Sequence, residues 1–201
     1  MPTISLTTFV DYVSANGLSK VRTVGAARRE SNLPYDPQRD FYKRLREAAL
    51  SFSRGQLSES TFQDLPKTLS DKKKRTNFPP AIDAWIAWHS RVGGEFFLPP
   101  RGEYGSGELR VTVNPEIGIR FSKANLAIKC WFKTDAVPKA RLKYVLATMR
   151  FGLPTNYSGD VGILDVRRGI LHKAGKLDSD LAILLHGEAT GFMAIWDALG
   201  E

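Results

Sequence analysis

The sequence predicts an α+β fold: helices over the first ninety or so residues, then an antiparallel sheet of about five strands, then a C-terminal helix covering that sheet. Two changes of pattern carry this reading. Apolar residues recur at spacings of three and four before residue 92 and again after residue 178, whereas from residue 94 the period becomes two. Composition agrees: of 201 residues 42% are hydrophobic and 25% charged, which excludes disordered and collagen-like chains. No period of roughly 20 to 50 residues recurs, which excludes a solenoid. The expected division is a helical, basic region over 1–92 and an α+β region over 93–201, folded as one compact unit.

Phe9, Val10, Tyr12 and Val13 form the stripe of a short helix that Gly17 closes. Asp36-Pro37 opens a second, because Asp accepts from a free amide and Pro suits the first helical position. Phe41, Leu45, Ala48, Ala49 and Phe52 continue it to Gly55, with Arg39, Lys43, Arg44 and Arg46 on the outer face. A polar linker is expected over 55–80. After Pro79-Pro80 another stripe, Ile82, Trp85, Ile86, Trp88 and His89, runs to Gly93-Gly94. Leu109, Val111 and Val113 then alternate with polar residues, as do Ile117, Ile119 and Phe121, and Leu126, Ile128, Cys130 and Phe132. Pro138 opens a helix through Met149, and residues 161–166 and 170–171 form a hairpin across Arg167-Arg168-Gly169. The last helix, over about 178–199, aligns Leu181, Leu185, Glu188, Phe192, Ile195 and Leu199 on one face. A carboxylate within that seam needs a cationic partner, so Glu188 is expected to pair with a Lys or Arg.

Charge is the unusual feature. Lys and Arg number 29 against 21 Asp and Glu, a net +8, and residues 20–75 hold 14 of the basic and 7 of the acidic side chains. A surplus gathered on one helix face (Arg39, Lys43, Arg44, Arg46) and in one run (Lys72, Lys73, Lys74, Arg75) is the footprint of a surface for phosphate backbones. The leading expectation is therefore a non-catalytic accessory protein that binds nucleic acid or another polyanion. Tyr35, Tyr42 and Phe78 are candidate stacking partners. No helix-turn-helix, RNA-recognition or zinc-finger signature supports base-specific reading. A third class, a protein–protein adaptor, would use Trp85, Trp88, Trp131 and Trp196 if they were exposed. The start of the sequence lacks the basic and apolar regions of a signal peptide, and no apolar run reaches membrane-spanning length. With one cysteine, Cys130, no internal disulfide is available, and a reducing cytoplasm is the expected setting.

Enzyme signatures are few. The three histidines lie in different elements, no nucleophile elbow surrounds a serine, and no zinc-ligand spacing occurs, so neither a metal site nor a cofactor is expected. One pair stands out: Pro115-Glu116 at the end of a strand and Lys129 on the next. Over about fifteen residues this resembles the PD-(D/E)xK nucleases, in which two carboxylates hold a divalent metal beside a lysine on neighbouring strands. The resemblance implies Mg²⁺, with Glu116 as first acid and Lys129 steadying the attacking water or the phosphate. The second acid belongs two residues before the lysine, where this chain has Ala127. Asp165, on a later strand edge, is the candidate substitute. The expectation is that Glu116, Lys129 and Asp165 do not converge into a competent site.

Overall fold

The structure, a computed structural model, describes residues 1–33, 40–122, 124–175 and 179–200. Strand β1 (Thr3–Ser5) leads into helix α1 (Leu6–Val13), where Ser5 Oγ caps by accepting from Thr8 N at 3.1 Å. Leu6, Phe9, Val10, Tyr12 and Val13 are buried, as the stripe requires. Gly17, at φ +48°, stands where α1 has already ended and opens α2 (Leu18–Ser31). Only Val24 and Ala27 of α2 are buried, too thin a stripe to announce a helix.

Helix α3 (Lys43–Ser53) ends before Gly55, at φ +69°. Its expected opening at Asp36-Pro37 lies outside the described residues; the described chain resumes with Asp40, whose Oδ1 accepts from Tyr42 N at 3.1 Å. The expected linker over 55–80 is largely helical. Ser58 caps α4 (Glu59–Asp64), whose Phe62 is fully buried, and a 3-10 turn follows over Leu65–Thr68. Helix α5 (Lys72–Val92) begins at the basic run and continues through Pro79-Pro80, whereas the sequence places its start after them. Each proline removes one backbone hydrogen bond. Burial of Phe78, Ala81, Ile82, Trp85 and Trp88 along the same face offsets that loss, and Asp71 caps the new start by accepting from Lys73 N and Lys74 N at 2.8 and 3.3 Å.

The strands form two sheets. β2 (Glu95–Phe97), β5 (Ile117–Arg120), β6 (Asn125–Trp131), β7 (Asp160–Asp165) and β8 (Ile170–Lys173) lie in the order β2-β5-β6-β7-β8. β3 (Gly102–Ser106) and β4 (Leu109–Val113) form a hairpin joined by β1, in the order β1-β4-β3. Both sheets are mixed instead of antiparallel. β6 and β7 are parallel, linked by α6 (Lys139–Gly152), and β1 runs parallel to β4. Residues 109–113 thus leave the sheet that holds 117–132. Pro115 has no N–H to continue a ladder, and the chain rejoins pairing where Glu116 N donates to Ile128 O at 2.9 Å.

The five-stranded sheet separates two cores. Leu126, Ile128, Cys130 and Leu164 face Leu45, Phe62, Phe78 and Trp85 of α3, α4 and α5. The alternate residues Ala127, Val161 and Ile163 face α1, α6, α7 (Ser179–Ala198) and the small sheet. α7 covers β3 and β4 of the small sheet and packs along α1, α2 and α6; Leu185, Ala189 and Phe192 are buried while Leu199 is exposed. α6 crosses β3 so closely that a Cβ on Gly102 would stand 2.0 Å from Gly152 O. Among the described residues, no helix is long and apolar enough to cross a membrane.

Candidate nucleic-acid interface

Two basic segments separated by some thirty residues meet on the α3–α5 side. Lys43 and Arg44 of α3 and Lys74 of α5 line one groove, together with Asp40, Glu47 and Asp71. These acids match the three cations in number, and the positive surplus comes from Arg46, Lys72 and Lys73 beside the groove. Lys43 Nζ stands 3.9 Å from Glu47, while Arg44, Lys72 and Lys73 have no acidic partner among the described residues. Lys74 Nζ lies 5.6 Å from the centroid of the Phe41 ring. Two of the sequence candidates are held internally. Arg46 donates to Asp40 Oδ2 at 2.5 Å, which raises its pKa against the opposing effect of burial, and Arg75 donates to the carbonyls of Leu69 and Ser70 at 3.0 and 3.1 Å. Arg39 and Tyr35 lie outside the described residues.

On the other side of the Lys72–Lys74 turn a second groove opens, lined by Phe41, Lys72, Lys73, Thr76, Asn77, Thr134 and Arg167. Arg167 reaches it from the far end of β7. Its Nε donates to Phe132 O at 3.0 Å, and its Nη2 donates to Asn77 O at 2.8 Å and to Asn77 Oδ1. Its neighbour Arg168 takes the acid, donating from Nη1 to Asp165 Oδ2 at 3.2 Å. Of the stacking candidates, Phe78 is buried and Tyr42 stacks on Phe132 at 5.9 Å. Phe41 is the aromatic residue that lines the groove, and its place in the apolar stripe of the sequence disguises this.

The nuclease candidates come only partly together. Glu116 and Lys129 face each other across β5 and β6 and form an ion pair, Lys129 Nζ also donating to Asn114 O at 3.2 Å. The second oxygen, Glu116 Oε2, accepts from Cys130 N at 2.8 Å, so each carboxylate oxygen already holds a proton donor of the protein. Asp165 stands opposite Trp131, two residues along β6 and across it from Glu116. It is buried and accepts from Arg168 and from Val137 N, the latter at 3.4 Å. No group of three His, Cys, Asp or Glu among the described residues is arranged to hold a metal. Burial, aided by the Glu116 charge, pushes the Cys130 thiol well above its usual pKa, which makes it a poor nucleophile.

Trp85 and Trp88 are core residues, which removes them from any adaptor surface; Trp131 and Trp196 are half-buried. Glu188 finds its cation in Lys20 of α2, whose ammonium also lies 4.7 Å from the Tyr12 ring centroid. Burial first, and the Glu188 charge second, push the Tyr12 hydroxyl up to about 12.

No family model matches the chain, and neither a curated protein nor a solved structure does so.

Proposed function

We propose that the protein is a non-catalytic accessory protein that binds nucleic acid or a like polyanion through the surface built from α3 and the first turns of α5. The observation that carries this reading is the groove of Lys43, Arg44 and Lys74, flanked by Lys72 and Lys73; among the described residues no acid pairs with Arg44, Lys72 or Lys73. Concentrated, unneutralised cations displace condensed counterions from a phosphate backbone, and the entropy of their release drives association. The three carboxylates match the groove's own cations in number, so the net positive field comes from Arg46, Lys72 and Lys73 at its border.

Fluorescence anisotropy with labelled duplex and single-stranded probes, read across a salt series, tests the reading. Affinity falls steeply with salt, and replacing Arg44, Lys72 and Lys73 together by Ala flattens log K against log[salt] by about two to three. Absence of binding at low salt ends the proposal, and an unchanged slope in the variant moves the interface elsewhere.

The same reading places the role of Glu116 and Lys129 in structure. With both oxygens of Glu116 engaged by Lys129 and Cys130 N, a hard divalent cation has to displace a proton donor before it binds. Purified protein is expected to leave DNA and RNA intact with Mg²⁺ or Mn²⁺. Cleavage abolished by both Glu116→Gln and Lys129→Ala overturns that expectation in favour of a nuclease.

A further inference from the structure

We propose that the second groove takes single-stranded nucleic acid, with a base against Phe41 and phosphates on Lys72, Lys73 and Arg167; this rests on the reading that the basic surface binds nucleic acid. Arg167 is the decisive residue. Its guanidinium is fixed by three oxygens, Phe132 O, Asn77 O and Asn77 Oδ1, and all three are neutral. The side chain is therefore rigid while its charge stays uncompensated: no carboxylate among the described residues pairs with it. Nη1 makes no hydrogen bond among the described residues, so it remains a donor for a phosphate oxygen. A cation held this way has little conformational freedom left to lose on binding.

The rest of the groove is chemically mixed. Phe41 offers an aromatic surface, and the side chains of Thr76, Asn77 and Thr134 offer hydrogen-bonding groups beside Lys72 and Lys73. A duplex stacks its base faces inward and presents phosphates, sugars and base edges, none of which offers a ring face to this aromatic element. A single strand exposes base faces and phosphates together, which is the pairing of chemistries that stacking platforms use. Length argues for a polymer over a mononucleotide, because Lys72 and Lys73 line this groove while Lys74, in the same helical turn, lines the groove of Lys43 and Arg44.

The test compares four labelled probes of equal length on the full chain: a thymidine 20-mer, its uridine counterpart, a duplex, and an abasic strand that keeps the phosphates and lacks the bases. The expected result is preference for both single strands over the duplex, and at least five-fold weaker binding of the abasic strand. The DNA and RNA arms separate the two sources of the same chemistry. Phe41→Leu, which keeps an apolar side chain, should erase most of the preference for bases, and Arg167→Gln should weaken every phosphate-bearing probe, with circular dichroism confirming the fold. The abasic comparison uses unaltered protein, so it stands even if a variant unfolds. Equal binding of all four probes overturns the single-strand proposal and leaves the polyanion reading intact. Binding of none at low salt overturns both. Polyglutamate competing as well as the thymidine strand overturns the proposal in favour of an acidic protein partner.

Discussion

His89 lies flat against Phe96, with ring centroids 4.6 Å apart and planes 11° from parallel, and a tilted Phe52 stands 4.9 Å away. Its Nε2 is buried without a hydrogen-bond partner among the described residues. A proton arriving there has no acceptor, and burial lowers the pKa, outweighing the opposing effect of the Ser53 backbone. The sign follows directly. The unfolded chain takes up this proton near pH 6.5 and the folded chain only at lower pH, so stability present above pH 6.5 is lost as pH falls. Urea midpoints at pH 7 and pH 5 test this: the native protein should lose more between them than His89→Phe, which keeps the stack and removes the titration. Equal losses would show that His89 is not part of the acid response. The residues of the basic surface differ in legibility for a related reason. Arg44, Lys72 and Lys73 are visible in the sequence because exposed charge is a matter of composition. Arg167 and Phe41 are not, because Arg167 meets Asn77 across ninety positions of sequence and Phe41 sits in an apolar pattern indistinguishable from core.

Helix α5 shows what periodicity can and cannot reveal about an element. Its second half was legible because Ile82, Trp85 and Trp88 repeat at helical spacing, while Pro79-Pro80 hid the first two turns. Those turns are under electrostatic strain. Lys72, Lys73, Lys74 and Arg75 place four cations at the end of the helix where the macrodipole is already positive. Asp71 is the one acid capping them, through bonds to two amides. Asp71→Ala should therefore destabilise the protein by about 1–2 kcal/mol, read as a lowered chemical-denaturation midpoint, and added salt should shrink the difference as it screens the exposed charges. A variant that melts like the native protein would mean that the cap contributes nothing. α7, by contrast, was readable along most of its length, with Leu185 and Phe192 repeated over five turns. α2 buries two residues and α4 is a single short turn and a half, too little in each case for a period to register.

At the scale of the molecule, the α+β class follows from local pattern, but the partition into two mixed sheets does not. Alternation along 109–132 looks the same whether β4 pairs with β5 or with β1, and only tertiary contact decides. Phe192 tests the core that α7 completes. It is fully buried, edge-on to Tyr12 at 5.1 Å, and stacked on Trp196 at 6.0 Å. Phe192→Ala should cost roughly 3–5 kcal/mol, measured by urea denaturation, and a loss well under 1 kcal/mol would show that this face is not core. The pairing of β1 with β4 has a consequence for the time at which the protein takes shape. Thr3, Ile4 and Ser5 align with Arg110, Val111 and Thr112, so this strand stays without its neighbour until the chain as far as Thr112 has been translated. A ribosome adding about 5–20 residues per second holds that edge open for several seconds, during which Ile4, Leu6, Phe9 and Val10 lack the sheet they will cover. A nascent-chain holdase or slow early collapse would matter most at Ile4, Leu6, Phe9 and Val10.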